Sequence, residues 1–458
     1  MKVALVNPPF SKLVYGGEKS IKSITPCLGL FYLQSYCADV ADIEVFEGEF
    51  YSSLEALIAA VNDFAPDVLG VTTNTSTWPY CVAISQAVNA GLKLAGGPYA
   101  AFRVKECLEY FDAVALGDGE VPLRALLQTG RVSEAPGFAW RGSDGIIRTN
   151  PTPPLPPLDD FPFPDHHKMQ LGLYQASPHR ELPEPFATMM TTRGCGFQCT
   201  FCLSASGGLN GGKYRERSVQ NVVSELTVLR ERFGVRSIQF WDDTFTMRKQ
   251  RTAEMCAALK PLGLSWVCNT RTDKMDQETA DLLADAGCRG VFFGVESGHQ
   301  PTLDRDHIKG VENIQVRGAL AACRRAGIRT TASFIFGSID DTRQSIEASV
   351  DFSLQLESDY VLYNIYTAHP GTSGYRRAVE EGIIDSYEVD VARWKGEPAG
   401  VPTVCRNLSR NELHTLKAEA YLRYYRHRDP VKHADLIATY IEELHLLTGG
   451  SAVDARVS

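Results

Sequence analysis

Short apolar runs alternate with amphipathic stretches through the first 130 residues of the chain. "KVALVNPP" (2–9), "DIEVFEG" (42–48), "PDVLGVTT" (66–73), "GLKLAGG" (91–97) and "FDAVALGDGE" (111–120) are apolar runs that close on polar or glycine turns. Runs of this length predict strands buried on both faces. Between them, stretches such as "SLEALIAAVNDFA" carry the apolar spacing of one helix face. Strands alternating with helices predict a doubly wound parallel sheet. Such sheets bind ligands beyond the carboxyl ends of their strands. That rule singles out Asn7, Thr72, Thr75, Gly96, Gly97, Gly117 and Glu120 as the lining of one crevice.

Residues 151–164, "PTPPLPPLDDFPFP", interrupt the pattern. Proline cannot donate to a ladder and breaks helices, so this stretch reads as an extended strap. From 187 the alternation resumes, with strands predicted at "ATMMTTR", "SIQFWDD" (237–243), "SWVCNTRTD" (265–273), "GVFFGVESG" (290–298), "RTTASFIFG" (329–337) and "YVLYNIYTAHPGT" (360–372). Six strand–helix units predict a partial (β/α)6 TIM barrel, two units short of a closed one. The remaining residues, with "YLRYYRHR", are helical in pattern and predicted to cap the barrel. The fold class expected is therefore α/β. The division expected is a doubly wound domain over 1–130, a proline-rich linker over 131–184, the barrel over 185–380 and a helical region over 381–458.

Composition narrows the partners. Hydrophobic content of 44% and charged content of 22% are those of a globular chain. A net charge of −9 without a basic stripe excludes a nucleic-acid partner, and the expected partner is a small molecule. No apolar run of about 18 residues or secretory pattern is present, so neither a membrane partner nor export is expected and the reading is cytoplasmic. Cysteines in that compartment are mostly reduced, and a tight cluster then points to metal or catalysis before disulfides.

Cys195, Cys199 and Cys202 form such a cluster in "TTRGCGFQCTFCLSASGG" (191–208), while the other nine cysteines are scattered and expected in the core. A structural zinc site needs a fourth ligand with paired spacing. His179 is the nearest candidate and lies on the far side of a predicted strand. Three thiolates on one loop can instead hold three irons of a 4Fe–4S cluster and leave the fourth open. The loop follows the first barrel strand, at the face where barrel active sites are built.

"CGFQCTFC" after a first barrel strand resembles the cluster loop of the radical S-adenosylmethionine (SAM) superfamily, including the apolar residue before the last cysteine, Phe201. "FWDDTF" (240–245), with Asp242, Asp243 and Thr244, resembles the second-strand end that faces the methionine part of SAM. "NTRTD" (269–273) with Arg271 and "GVESG" (294–298) with Glu296 resemble the third and fourth strand ends. "SFIFGSIDDT" (333–342), with Ser333 and Gly337, resembles the fifth, near the adenine, although Ser333 and Asp340 stand where the family has glycine and glutamate. "NIYTAHPGT" (364–372), with Asn364, resembles the sixth. On local grounds alone Asp242 and Asp243 could cap a helix, Glu296 and His369 could sit in turns, and Arg271 could pair with Asp273. The resemblance implies a 4Fe–4S cluster, SAM and a flavodoxin- or ferredoxin-type reductant. It also implies reductive cleavage of SAM to a 5′-deoxyadenosyl radical that takes hydrogen from a small, sugar-like or secondary-metabolite substrate. No residue of the sequence names the catalytic group that follows.

The opening domain, with "VNPP", "AGGPYAA" and "ALGDGEVPLRALL", is similar to the cobalamin-binding-like domains found ahead of many radical SAM enzymes. It departs from their GGPH and GEGE patterns, and no histidine precedes His166, so any bound cobalamin takes no histidine ligand from this domain. Two reactions stay open on this resemblance. One is cobalamin-dependent C-methylation. The other is cobalamin-free dehydration of a diol, as in aminoglycoside antibiotic biosynthesis, with a separate reductase finishing the product. A non-catalytic SAM or cobalamin sensor is a third reading, and the intact cysteine trio argues against it.

Overall fold

Lys2–Asn7 (β1) lies inside a seven-stranded sheet with Asp42–Glu47 (β2), Val68–Thr72 (β3), Leu92–Gly96 (β4), Ala113–Ala115 (β5), Phe138–Arg141 (β6) and Ile147–Thr149 (β7). In this computed structural model the described residues are 1–9, 23–177, 180–204, 213–384, 403–431 and 433–448, so His179 falls outside them. The strand order is β2-β1-β3-β4-β5-β6-β7, and β1 to β5 pair in parallel. The order reverses between β1 and β3, which is where doubly wound sheets hold their ligands.

The apolar runs form strands because both faces of the sheet are covered. Along β1, Ala4 and Val6 enter a core with Leu57, Val61 and Trp78, while Val3 and Leu5 enter the opposite core with Leu30, Leu123 and Leu126. That is the two-residue period of a strand. Helix Leu54–Phe64 starts where the Ser53 side chain accepts the Ala56 N–H at 3.2 Å. Helix Trp78–Ala87, of 10 residues, is the short three-turn connection expected between β3 and β4.

The antiparallel pair β6 and β7 is an addition to the sequence reading, which placed only a linker there. Strands of four and three residues are too short for alternation to show. Their turn is built by Asp144, which accepts the Ile146 N–H at 3.1 Å, and by Gly145 at φ +78°.

Phe186–Met189 (β8) is followed by a two-stranded antiparallel ladder of Thr192–Arg193 (β9) and Arg215–Glu216 (β10). β8 is the edge strand of a six-stranded sheet completed by Ser237–Phe240 (β11), Ser265–Arg271 (β12), Cys288–Glu296 (β13), Arg329–Phe336 (β14) and Tyr360–Ile365 (β15). β11 to β15 pair in parallel in consecutive order, each joined to the next through helical connections, as a (β/α)6 arrangement requires. The sheet remains open, as expected of six strands. At its other edge, the Tyr363 N–H donates to Tyr421 Oη at 3.0 Å, so helix Arg410–Arg428 covers an exposed strand. Tyr421 in turn stacks on Tyr440 of helix Ala434–Thr448 at 4.2 Å.

The chain forms two compact units, one built on Met1–Gly196 and Leu203–Val235, the other on Phe197–Cys202, Arg236–Tyr387 and Pro402–Ser458. Among the described residues no helix is long and apolar enough to cross a membrane.

Candidate functional site

The ends of the cysteine loop are brought together by the β9–β10 ladder, which pairs Arg193 with Arg215 and Thr192 with Glu216. Gly194 has φ +81°, and a Cβ there would run into the Lys213 carbonyl, so the first step of the loop requires glycine. The ladder's arginines are held by the "GDGE" turn after β5. Arg193 Nη2 donates to Glu120 Oε1 at 2.7 Å and its Nη1 lies 3.2 Å from Asp118, which also pairs with Arg215. Burial works against the Arg193 charge, but Glu120 and Asp118 outweigh it and hold the guanidinium protonated. Glu120, expected in the crevice, is thus a buried anchor of the loop base.

Within the loop, Cys195 and Cys199 are buried and Cys202 is half-buried; none of the twelve cysteines is in a disulfide. The Cys202 N–H donates to the Cys199 carbonyl at 3.1 Å, the turn that a two-residue gap allows. Thr200 anchors the loop twice: its N–H donates to the His307 carbonyl at 3.1 Å and its carbonyl accepts the Gly374 N–H at 3.0 Å. The Phe201 ring meets His307 edge-on at 5.3 Å. Arg271 Nη1 donates to Cys199 Sγ at 3.4 Å, and its guanidinium lies 3.7 Å over the Phe197 ring. Burial pushes the Cys199 thiol up, while the Lys309 and Arg271 charges oppose it. Among the described residues no three His, Cys, Asp or Glu side chains converge on one metal ion. A 4Fe–4S cluster does not ask for that, because each thiolate takes a different iron. Three thiols outside any disulfide on one glycine-started loop fit such a cluster.

The strand ends carry the other expected residues. Asp242 is buried and Asp243 exposed after β11. Neither caps the next helix, which starts only at Lys249. Thr244 is buried beside them. Arg271 does pair with Asp273, at 2.8 Å, and also reaches the Lys309 carbonyl at 2.7 Å. Glu296 ends β13 at φ +68°, where the register slips. A non-glycine residue in that region costs of order 1–3 kcal/mol and is held by its surroundings. Lys309 holds it, with Nζ donating to Glu296 Oε1 at 2.5 Å and to the Gly294 carbonyl at 2.6 Å. Asn364 Nδ2 donates to Ser333 Oγ at 3.0 Å across β14 and β15. Gly337 turns at φ +87°, and its N–H donates to Asp341 at 3.0 Å. Asp340 faces arginines instead, Arg377 at 2.5 Å and Arg305 at 3.3 Å. His369 does sit in a turn, its carbonyl accepting the Thr372 N–H at 3.1 Å.

Lys309, His307 and Asp306 escape the sequence reading. Asp306 and His307 lie on a π-helical turn, Leu303–His307, closed by Ile308 at φ +45°, and Lys309 follows it directly. Such turns recur at functional sites but carry no apolar period. "DRDHIKG", just after "GVESG", was the available signal.

In the first unit, Asn7, Thr72 and Gly96 end β1, β3 and β4, and Thr75, Gly97 and Gly117 follow beyond strand ends. Asn7 Nδ2 donates to Glu47 at 2.6 Å, and the Cys27 N–H donates to the same carboxyl at 2.8 Å. Burial raises the Glu47 carboxyl despite these donors. Gly96 and Thr73 are joined at 2.8 Å, and at Gly97 (φ +90°) a Cβ would lie 2.8 Å from Thr72 Oγ1 and the Thr73 carbonyl. Thr75 is buried nearby in sequence, and Gly117 turns at φ +82°. Small residues at a switch point, with hydroxyls and backbone groups and no histidine, fit a large cofactor bound without an imidazole on its metal.

Comparison with known proteins agrees. Residues 189–353 match the radical SAM superfamily and residues 19–127 the B12 binding domain. The uncharacterized methyltransferase PH0819 of Pyrococcus horikoshii is 29% identical over 442 residues, 93% of this chain and 92% of that one. The cytidylyl-2-hydroxyethylphosphonate methyltransferase of Streptomyces wedmorensis is 27% identical, over 84% of this chain and 83% of its own. The cobalamin-dependent SAM radical enzyme OxsB, solved with aqua-cobalamin and SAM, superposes with a TM-score of 0.72 at 16% identity, covering 97% of this chain and 72% of its own. That last likeness speaks for the fold alone, and both relatives are named as methyltransferases. The chain therefore carries a radical SAM domain, residues 189–353, behind a B12-binding domain, residues 19–127.

Proposed function

We propose that the chain is a cytoplasmic, cobalamin-dependent radical SAM C-methyltransferase acting on a small molecule. The observation that carries this reading is the disulfide-free three-cysteine loop at the head of a six-stranded parallel sheet, in a chain that matches methyltransferases along most of its length. When bound, the cluster supplies an electron for cleavage of SAM and cobalamin supplies the methyl group. Everything else falls to the chain. Cys195, Cys199 and Cys202 hold the cluster, and Phe201 closes the loop against His307. Asp242, Asp243 and Thr244 face the methionine part of SAM, with Glu296 fixed by Lys309 for its ammonium group. Ser333, Asn364 and Gly337 line the adenine side. Asn7, Thr72, Thr75, Gly96, Gly97 and Gly117 line the cobalamin crevice. An electron from a flavodoxin- or ferredoxin-type protein completes the system.

Anaerobic reconstitution with iron, sulfide and hydroxocobalamin, followed by desalting and a visible spectrum, tests the reading. Cluster and cobalamin retained together are expected, with a methylated product under turnover. A cluster without cobalamin would move the reading to radical diol dehydration, and absence of both would remove it.

Two substitutions test the SAM residues. Asp243→Ala is expected to weaken SAM binding more than it lowers iron content, and the reverse order would displace Asp243 from the site. Gly294→Ala puts a methyl group into the Glu296–Lys309 pair. It is expected to weaken SAM binding about tenfold, which is ~1.4 kcal/mol, measured by equilibrium dialysis; an unchanged affinity would separate that pair from SAM.

A further inference from the structure

We infer that Arg271 is a positioning residue for the cysteine loop that also sets the reduction potential of the cluster, a role beyond contact with SAM; this rests on the reading that the loop holds a 4Fe–4S cluster. Each of its three guanidinium nitrogens already has a partner. Nε donates to Asp273 at 2.8 Å, Nη2 to the Lys309 carbonyl at 2.7 Å and Nη1 to Cys199 Sγ at 3.4 Å. The ring of Phe197, two residues before Cys199, has its centroid 3.7 Å from the guanidinium carbon, and Arg271 is only 6% exposed. One side chain at the end of β12 therefore ties three separate pieces of the second unit: its own strand end, the turn after β13 and the loop itself.

Both anchors are tied into the second unit. Asp273 is two residues along the chain from Arg271, and the Lys309 backbone is fixed because its Nζ is bound by Glu296 and the Gly294 carbonyl. The arginine fork adds a further hold on the loop, at Cys199 itself, beside the two that Thr200 makes. A planar fork can donate in three directions while stacking on a ring; an ammonium cannot. An N–H donor and a positive charge next to a ligating sulfur stabilise the electron-rich, reduced form of a cluster, since hydrogen bonds to sulfur are among the determinants of its potential. Asp273 offsets part of the charge without removing the donor that faces Cys199.

The experiment uses the full chain, reconstituted anaerobically, as wild type, Arg271→Gln, Arg271→Lys and Phe197→Leu. Iron content, the midpoint potential from a dye-mediated titration followed by electron paramagnetic resonance, and SAM affinity are measured for each. Arg271→Gln is expected to shift the midpoint to more negative potential, with Arg271→Lys between it and wild type. An unshifted midpoint with an intact cluster overturns the inference, as does a loss of SAM affinity without a shift. Should Arg271→Gln retain no iron, the decision passes to Phe197→Leu, which leaves every charge in place. Faster extraction of its iron by a chelator than from wild type supports the clamp, and an equal rate overturns it. A wild-type chain that takes up no iron would instead refute the function on which the inference rests.

Discussion

Cys199→Ala abolishes cluster assembly and, with it, SAM cleavage. The loop offers three thiols, and removing one leaves two protein ligands for a cluster that needs three and an open iron. Cys199 is the middle ligand, and it is the one whose sulfur is gripped by Arg271 and whose carbonyl accepts the Cys202 N–H. Its loss therefore removes a ligand and a point of order at once. The expected result is near-complete loss of iron after reconstitution and no 5′-deoxyadenosine in the presence of dithionite and SAM. Cys256→Ala is the control: Cys256 is buried on a helix, with its thiol pushed up to about 12 by burial, and removing it should leave iron content unchanged. Retained 5′-deoxyadenosine production by Cys199→Ala would sink the assignment of the cysteine trio. Equal loss of iron from both variants would trace the effect to general instability.

The parts of this molecule that were legible in its sequence are those whose signal is local. Parallel strands buried on both faces appear as unbroken apolar runs, which is why β1 and β3 could be read directly. The cysteine trio lies within eight residues and needs no fold to be noticed. What escaped depends on contacts between distant segments or on irregular backbone. Glu120 finds Arg193 across 73 positions, so the "GDGE" turn read as crevice lining while its glutamate anchors the loop base. Lys309 meets Glu296 only because a π-helical turn and a left-handed Ile308 bring the chain back. Spacing rules built on periods of 2 and 3.6 have no term for that path. The Arg271–Asp273 pair and the His369 turn show the converse: bland local readings can be true while the arginine also reaches the cysteine loop.

Arg217→Ala is expected to destabilise the first unit by about 3–5 kcal/mol, a large share of the roughly 5–15 kcal/mol that holds a typical domain. Arg217 and Glu225 are both buried, with Nη1 2.6 Å from the carboxylate, and His166 Nε2 lies 3.0 Å from the other oxygen. Arg217 further donates to Asn221 at 2.6 Å and to the Met190 carbonyl at 3.1 Å, while its own N–H donates to Thr191 at 2.9 Å. Truncating it strands a buried carboxylate and loosens the segment entering the cysteine loop. Burial pushes the Glu225 carboxyl up, but His166 and Arg217 outweigh it and hold it below the usual range. A carboxyl depressed by folding contributes stability above its unfolded value of about 4.3, and loses it as pH falls through the folded value. Without Arg217 the burial effect gains ground, so the variant gives up less of that contribution on acidification. The gap between wild type and variant in urea midpoint should therefore be wide at pH 7 and narrower near pH 4, and a constant gap would dissociate the loss from the Glu225 charge. Arg217→Met combined with Glu225→Leu removes both charges and should recover much of the stability, because a buried ion pair is costly mainly when broken in half. Slower iron retention in Arg217→Ala than in that double variant would show that the buried charge, and not the side chain as such, governs the base of the cysteine loop.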